Sequence, residues 1–476
     1  MEKLVKRTHI DFKVALLFVA IVIGHLAFNS KLQIHFDEAY YWVWSKNLQL
    51  SYFDHPPMIA YLIKLTTLFS DSVFCIRLVS VICGSITAIF IYKSAKYTFG
   101  QKAGNIAMIL ALAWPILEGT FFVTTIDSPF LMFWSITVYC LIRGLVFDEK
   151  KFVYIGGIVL GLTLLSKYIG ILILPGVLIY LALSAKHRIK LVQKDIYLSL
   201  LLVIVIFSPV IIWNAEHGWA SFVFQFNHGT AENKQFHLQS FGDYIAGFLG
   251  AANPFISIPI FVFAYKKRKQ IIKDDRYLFL LSNFLFIGLF FGYNAVFKKQ
   301  EANWAAPAYI AGIIFLAGCI AQTNIKWIHR VAISLILILF PLIKMPEVFV
   351  PVKYQNKVPQ IDMFTGQKQL YDAAKKDYWH NDEIVMSCNY KIASRAWYYM
   401  NVGRVYVLPE FNGSNTYKFW NSSLHLPLTN TLYVCNSDDT SNGILQKYFK
   451  KIEPLGVEEY HDNFVNNKLY VFRLSN

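Results

Sequence analysis

Apolar runs of membrane length recur along this chain, and no other feature restricts its fold as strongly. They fall at residues 12–29, 74–97, 103–122, 127–147, 153–167, 169–185, 196–213, 242–264, 277–297, 304–321 and 327–344, about eleven in all. In lipid a backbone must satisfy its own hydrogen bonds, so each run is expected to be a helix. Composition agrees: 55% of the 476 residues are hydrophobic, 17% aromatic and 16% charged, unlike a soluble domain. The expected fold class is an α-helical polytopic membrane protein. Between 153 and 185, Ser166-Lys167-Tyr168 divides two short runs.

The net charge of +15 raises nucleic acid as a partner, but much of the Lys and Arg sits in short clusters between apolar runs. That is a topology signal, so no nucleic acid is expected and membrane lipids are the surroundings. Lys3, Lys6, Arg7 and Lys13 precede the first run, which reads as an uncleaved span with a cytoplasmic N-terminus. Lys102, Lys150 and Lys151, then Lys186, Arg188, Lys190 and Lys194, then Lys266 to Arg276 mark further cytoplasmic loops. An odd span count puts the tail on the far side.

Composition turns charged and Asn-rich near residue 345. The expected division is a transmembrane part at 1–344, with its first extracytoplasmic loop at 30–73, and a soluble extracytoplasmic α/β domain at 345–476. Strands are expected around Glu383–Met386, Val405–Val407, Leu432–Val434 and Leu469–Phe472, with helices near 389–400 and 441–450. Cys388 and Cys435 lie in this tail, and either a disulfide or two free thiols fits the sequence.

The stretch His35 to Ala60 concentrates three carboxylates, two histidines and seven aromatics just after the first apolar run. Ionisable groups at a membrane boundary are costly to desolvate, which makes Asp37, Glu38, Asp54 and His55 site candidates. The segment 38–48 is expected to be an interfacial helix with its aromatic face, including Tyr40 and Tyr41, in the head-group region. Other far-side loops bring Asp127, Lys167, Glu216, His217, His228, Glu232 and His237, then Lys298, Lys299, Glu301, Asn303 and Trp304. Loops converging above an aromatic wall make a cavity for an amphiphile, where carboxylates serve as base and Lys or His holds a phosphate. Structural readings stand beside these. Asp37-Glu38 is also a good helix cap, Asp54-His55 a turn, Asp127-Ser-Pro a helix start, and Lys167 a snorkelling residue. Asp54, His55 and His228 lack fixed metal spacing, and a divalent cation there stays open as the one cofactor.

Taken in order, Asp37-Glu-Ala-Tyr-Tyr-Trp42, Ser51-Tyr-Phe-Asp-His-Pro-Pro57, Thr125-Ile-Asp-Ser-Pro129, Leu164-Leu-Ser-Lys-Tyr168 and Asn303-Trp-Ala-Ala-Pro-Ala-Tyr309 resemble the polyprenyl-phosphate-dependent GT-C glycosyltransferases. The similar groups are the lipid A aminoarabinose transferases, the lipopolysaccharide galacturonosyltransferases and, further off, the protein O-mannosyltransferases. Asn389-Tyr-Lys-Ile-Ala-Ser394 resembles the tail of galacturonosyltransferase-like members. The resemblance implies transfer of one sugar from a polyprenyl-phosphate donor to a lipid or glycan acceptor, at the bacterial inner membrane. It implies Asp37, Glu38 and Asp127 as catalytic. Asp54, His55, Lys167, Lys298 and Lys299 fall to the donor phosphate, and Tyr40, Tyr41, His228, Asn303 and Trp304 to the acceptor or cavity. Where aminoarabinose transferases carry Glu-Lys before Pro-Pro, this chain has Asp54-His55, and neutral His is the weaker phosphate ligand. A protein acceptor and a lipid-linked sugar flippase are the rival readings.

Overall fold

The computed structural model describes residues 10–229, 236–251, 253–301, 303–323, 325, 327–351, 354, 363–380, 383–411, 415–420, 430–437, 443–462 and 465–476. Lys3, Lys6, Arg7 and Glu232 lie outside them, as does the side chain of His228. By its contacts the chain forms two compact units, Met1–Ala27 with Leu78–Phe340, and Phe28–Arg77 with Pro341–Asn476. The first loop belongs to the same unit as the tail.

Every expected span has a helix. In the first unit these are α1 (Phe12–Ala27), the greater part of α4 (Val73–Phe99), α5 (Gln101–Leu112), α6 (Pro115–Phe122), α7 (Asp127–Leu141), α8 (Lys150–Ser166), α9 (Ile173–Leu183) and α10 (Lys194–Glu216). They are followed by α11 (Ala220–Gly229), α12 (Leu238–Ala251), α13 (Pro254–Ile271), α14 (Asp275–Ala295), α15 (Ala306–Ala321) and α16 (Trp327–Lys344). α2 (Phe36–Lys46) and α3 (Met58–Thr66) belong to the second. Among the described residues, four helices are each long and apolar enough to cross a bilayer alone, and bent pairs bring that to six. One pair is α5 with α6, bent by 63° where Pro115, lacking an N–H, starts the second helix. α1, Tyr168–Leu183 and α15 are apolar but shorter. The break at Ser166-Lys167 is real: Lys167 has extended backbone (φ −157°, ψ 134°) between α8 and the 3-10 turn Tyr168–Leu172.

Small residues let two of these helices touch. A Cβ on Gly157 of α8 would lie 2.4 Å from the Ser199 carbonyl oxygen of α10, and one on Gly161 2.6 Å from Ile206 Cβ. This is the small-x-x-x-small spacing by which membrane helices approach closely. Buried Leu, Ile, Phe and Ala side chains from α4, α5, α7, α8, α14 and α15 form one continuous core.

Loops of the first unit gather in two groups. Asp148, before α8, accepts from Lys186 Nζ at 2.8 Å and Lys190 Nζ at 2.6 Å, and buried His187 sits 3.4 Å from both Asp148 and Asp275. These are the connections read from charge as one side. Asp127, Lys167 and Asn303, read as the other side, form the second group.

In the second unit, a five-stranded sheet has the order β2 (Val405–Val407), β1 (Ile384–Ser387), β3 (Thr431–Cys435), β5 (Asn466–Ser475), β4 (Lys451–His461). β1 pairs in parallel with β2 and β3, while β5 runs antiparallel to β3 and β4. α17 (Gln367–Tyr378) and α18 (Tyr390–Met400) accompany it. β4 and α17 were not anticipated. The expected helix at 441–450 is a short 3-10 turn, Leu445–Lys447, beyond which β4 begins. Cys388 and Cys435, at the ends of neighbouring β1 and β3, form a disulfide.

Candidate active site

α2 starts where it does because two backbone donors find side-chain acceptors. His35 Nδ1 accepts from the Asp37 N–H at 3.2 Å, and Glu38 Oε2 accepts from the His35 N–H at 2.9 Å, a capping box. Residues 38–45 are all buried, so α2 does not lie with an aromatic face open to head groups. Its aromatics are used within the unit instead. Trp44 stacks on Tyr52 at 4.0 Å, Tyr41 packs edge-on to Trp44, and Tyr40 meets Tyr390 of α18 at 4.8 Å.

Adjacent carboxylates on a helix point about 100° apart, and here they part ways. Glu38 turns inward and is fully buried against Arg77, with Nη2–Oε2 at 2.8 Å and Nε–Oε1 at 2.9 Å. The same guanidinium donates to the carbonyls of Asn29, Leu32 and Gln33. Glu38 is therefore a clasp for the first loop, not the catalytic group its sequence position implied.

Asp37 turns away from Arg77 and is half-buried, its side chain 31% exposed. Its nearest basic group is His35 Nδ1 at 3.7 Å, but burial lowers His35 to about 4, and that nitrogen already accepts the Asp37 N–H. Among the described residues no other basic group lies within ion-pair distance of the carboxylate. Burial raises Asp37 to about 7, against the pull of Lys391, and the negative charge of Asp54 adds to the rise. A carboxylate with its proton balanced near neutrality suits general base chemistry.

Asp54 is built into a hydrogen-bonded knot with the tail. Its Oδ1 accepts from Tyr40 Oη at 3.1 Å and Thr416 Oγ1 at 2.9 Å; Tyr40 Oη accepts from Thr416 N at 2.8 Å. Burial raises Asp54 to about 6 despite those donors. An acidic group in this setting repels a phosphate, so the expectation that Asp54 grips one gives way to a positioning role. Of His55 the backbone is fixed, its carbonyl accepting from Tyr52 N–H at 3.2 Å.

In the first unit, Asp127 Oδ1 accepts from Lys167 Nζ at 2.7 Å and Oδ2 from Asn303 Nδ2 at 2.7 Å. Asp127 is thus no helix cap: it spends its carboxylate on residues 40 and 176 positions away. Lys167, expected on a phosphate, is neutralised by Asp127. Lys298 is half-buried and Lys299 exposed on the connection that leads to Asn303, and Trp304 packs against Phe291. Among the described residues no three His, Cys, Asp or Glu side chains come together as a metal site, and the proposed set of Asp54, His55 and His228 reaches outside them.

Thr416 and Arg77 were not singled out in the sequence, and Tyr390 and Lys391 stood there only within the motif Asn389–Ser394, without a role. Arg77, a lone charge near the start of an apolar run, carried a readable signal. Thr416 carried none.

Comparison with known proteins follows from this arrangement. Crystal structures of ArnT from Cupriavidus metallidurans, one apo and one bound to undecaprenyl phosphate, each superpose with a TM-score of 0.66 at 13% identity, covering 96% of this chain and 97% of theirs. The fold is that of these ArnT structures. Residues 54–213 match the family model described as dolichyl-phosphate-mannose-protein mannosyltransferase. Lipid A galacturonosyltransferase RgtD of Rhizobium johnstonii is 28% identical over 315 residues, 64% of this chain. That match spans 65% of the relative's length. The proteins that the five motifs resemble are thus of the kind these relatives belong to, and the apolar helices with a small sheet appended are the fold shared with ArnT.

Proposed function

We propose that this chain is an inverting glycosyltransferase that moves one sugar from a polyprenyl monophosphate to lipid A or a related envelope glycan, on the outer face of a bacterial cytoplasmic membrane. The observation that carries the reading is Asp37, a half-buried carboxylate with a pKa near 7, in a chain similar to RgtD and folded like ArnT. The acceptor hydroxyl passes its proton to Asp37 as its oxygen bonds the anomeric carbon. The bond from that carbon to the phosphate oxygen breaks, and polyprenyl phosphate leaves with the electron pair. Cations facing the leaving phosphate supply the electrostatic stabilisation such transfers need.

The matched family model favours one second reading, a protein hydroxyl as acceptor. Both are tested by incubating the purified chain with a polyprenyl-phosphate sugar and following sugar release, then analysing lipid A from a deletion strain by mass spectrometry. Loss of a single sugar mass from lipid A supports the first reading. Unchanged lipid A with lost protein glycosylation supports the second, and no release from any donor overturns both.

A further inference from the structure

The stretch around Asp37 carries few cations of its own. Within residues 36–58 the one lysine is Lys46, which is bound to Asp71 at 2.6 Å, and Arg77 is spent on Glu38. The tail brings two more. Lys391 and Arg395 stand one turn apart on α18 and turn their heads to a single ring, Phe36, the residue before Asp37. Lys391 Nζ lies 4.5 Å and Arg395 Cζ 5.6 Å from its centroid.

Their surroundings differ. Arg395 is 5% exposed and donates to the Met363 carbonyl, which holds its guanidinium in place. Lys391 is exposed, and among the described residues its ammonium meets only the rings of Phe36 and Tyr390. Among the described residues no carboxylate lies within ion-pair distance of it, although Lys391 is the foremost charge acting on Asp37. Phe36 carries the ammonium instead, so that base and cation stand beside each other with both charges open to a third group.

We propose that Lys391, backed by Arg395, is an oxyanion-binding subsite beside Asp37. It takes either the phosphate of the lipid-linked donor or the carboxylate of an acidic sugar. The inference rests on the transferase reading for its biological meaning, but the binding itself is testable without turnover. A cation at this place also explains how a first loop with His55 before Pro56-Pro57 manages an anionic ligand.

The test uses the purified full chain in detergent, with Lys391→Ala and Lys391→Arg and thermal melting as a folding control. The first probe is polyprenyl phosphate without sugar, followed by tryptophan fluorescence and the phosphorus resonance of the bound lipid. Losing a charged hydrogen bond to phosphate weakens binding by about 10- to 100-fold in Lys391→Ala, and Lys391→Arg restores most of it. The second arm compares KM for donors carrying a neutral or a uronic sugar. A loss confined to the uronic donor assigns the subsite to the sugar carboxylate; a loss shared by all probes assigns it to the phosphate. Equal affinities and KM values in wild type and Lys391→Ala, or a wild type that binds none of the probes, overturn the proposal. If Lys391→Ala weakens the binding of polyprenyl phosphate but the wild type releases no sugar from any donor, the transferase reading fails and the subsite stands.

Discussion

Asp37→Asn separates the two consequences of burying a carboxylate at a working position. The folded chain holds the Asp37 proton until about pH 7, whereas an unfolded chain releases it at 3.8. Between those values the folded state binds more protons, so stability falls as pH rises from about 4 to about 7 and stays lowered above. A shift of about three units corresponds to roughly 4 kcal/mol, a ceiling here because the side chain is 31% exposed and solvent screens part of the charge. Asn keeps the shape, the backbone N–H bond to His35 and none of the charge. Asp37→Asn is therefore expected to melt higher than wild type at pH 8 and equally at pH 4. Removing a general base costs about 10²- to 10⁴-fold in rate at pH 8, and the wild-type rate is expected to rise with pH through about 7. The assay is sugar release from a polyprenyl-phosphate donor, with melting curves at both pH values. A variant with the wild-type rate refutes the catalytic role. One that is less stable at pH 8 by as much as at pH 4 refutes the desolvation argument, since Asp37 would then be a structural ligand.

Glu38→Gln leaves the fully buried Arg77 guanidinium without its counter-charge, and is expected to destabilise the unit by about 3–5 kcal/mol, read as a fall in melting temperature. Thr416→Val deletes a donor to the charged form of Asp54, so its pKa is expected to move above 6, measurable by carbon-13 NMR of the labelled carboxylate; an unmoved value would show that Thr416 does not stabilise the anion. Gly157→Val drives a side chain into the Ser199 carbonyl and has to separate α8 from α10, at about 1–3 kcal/mol and with loss of folded protein on size exclusion.

Much of the architecture was legible in the chain itself. Backbone hydrogen bonding in lipid leaves only helices for long apolar runs, so their positions and the break at Ser166-Lys167 follow from local sequence, whereas the bend at Pro115 falls inside what reads as one run, 103–122. The alternation of basic loops anticipated which connections meet, as Asp148, His187 and Asp275 do. Short-range motifs also carried the resemblance to GT-C enzymes, because Asp37, Asp127, Lys167 and Asn303 each stand at a helix end that the pattern marks.

The site's chemistry was decided by tertiary structure. Asp37 and Glu38 are neighbours of equal sequence merit, and only the position of Arg77 settled which turns inward. Asp54 meets Thr416 across 362 residues, a separation at which no periodicity or spacing carries information. The pKa values that set Asp37 apart arise from desolvation, a property of what covers a group and not of the residues beside it in the chain. Asp127 illustrates the same limit: read locally it is a helix start, yet its two oxygens are spent on Lys167 and Asn303, which chain folding alone brings to it.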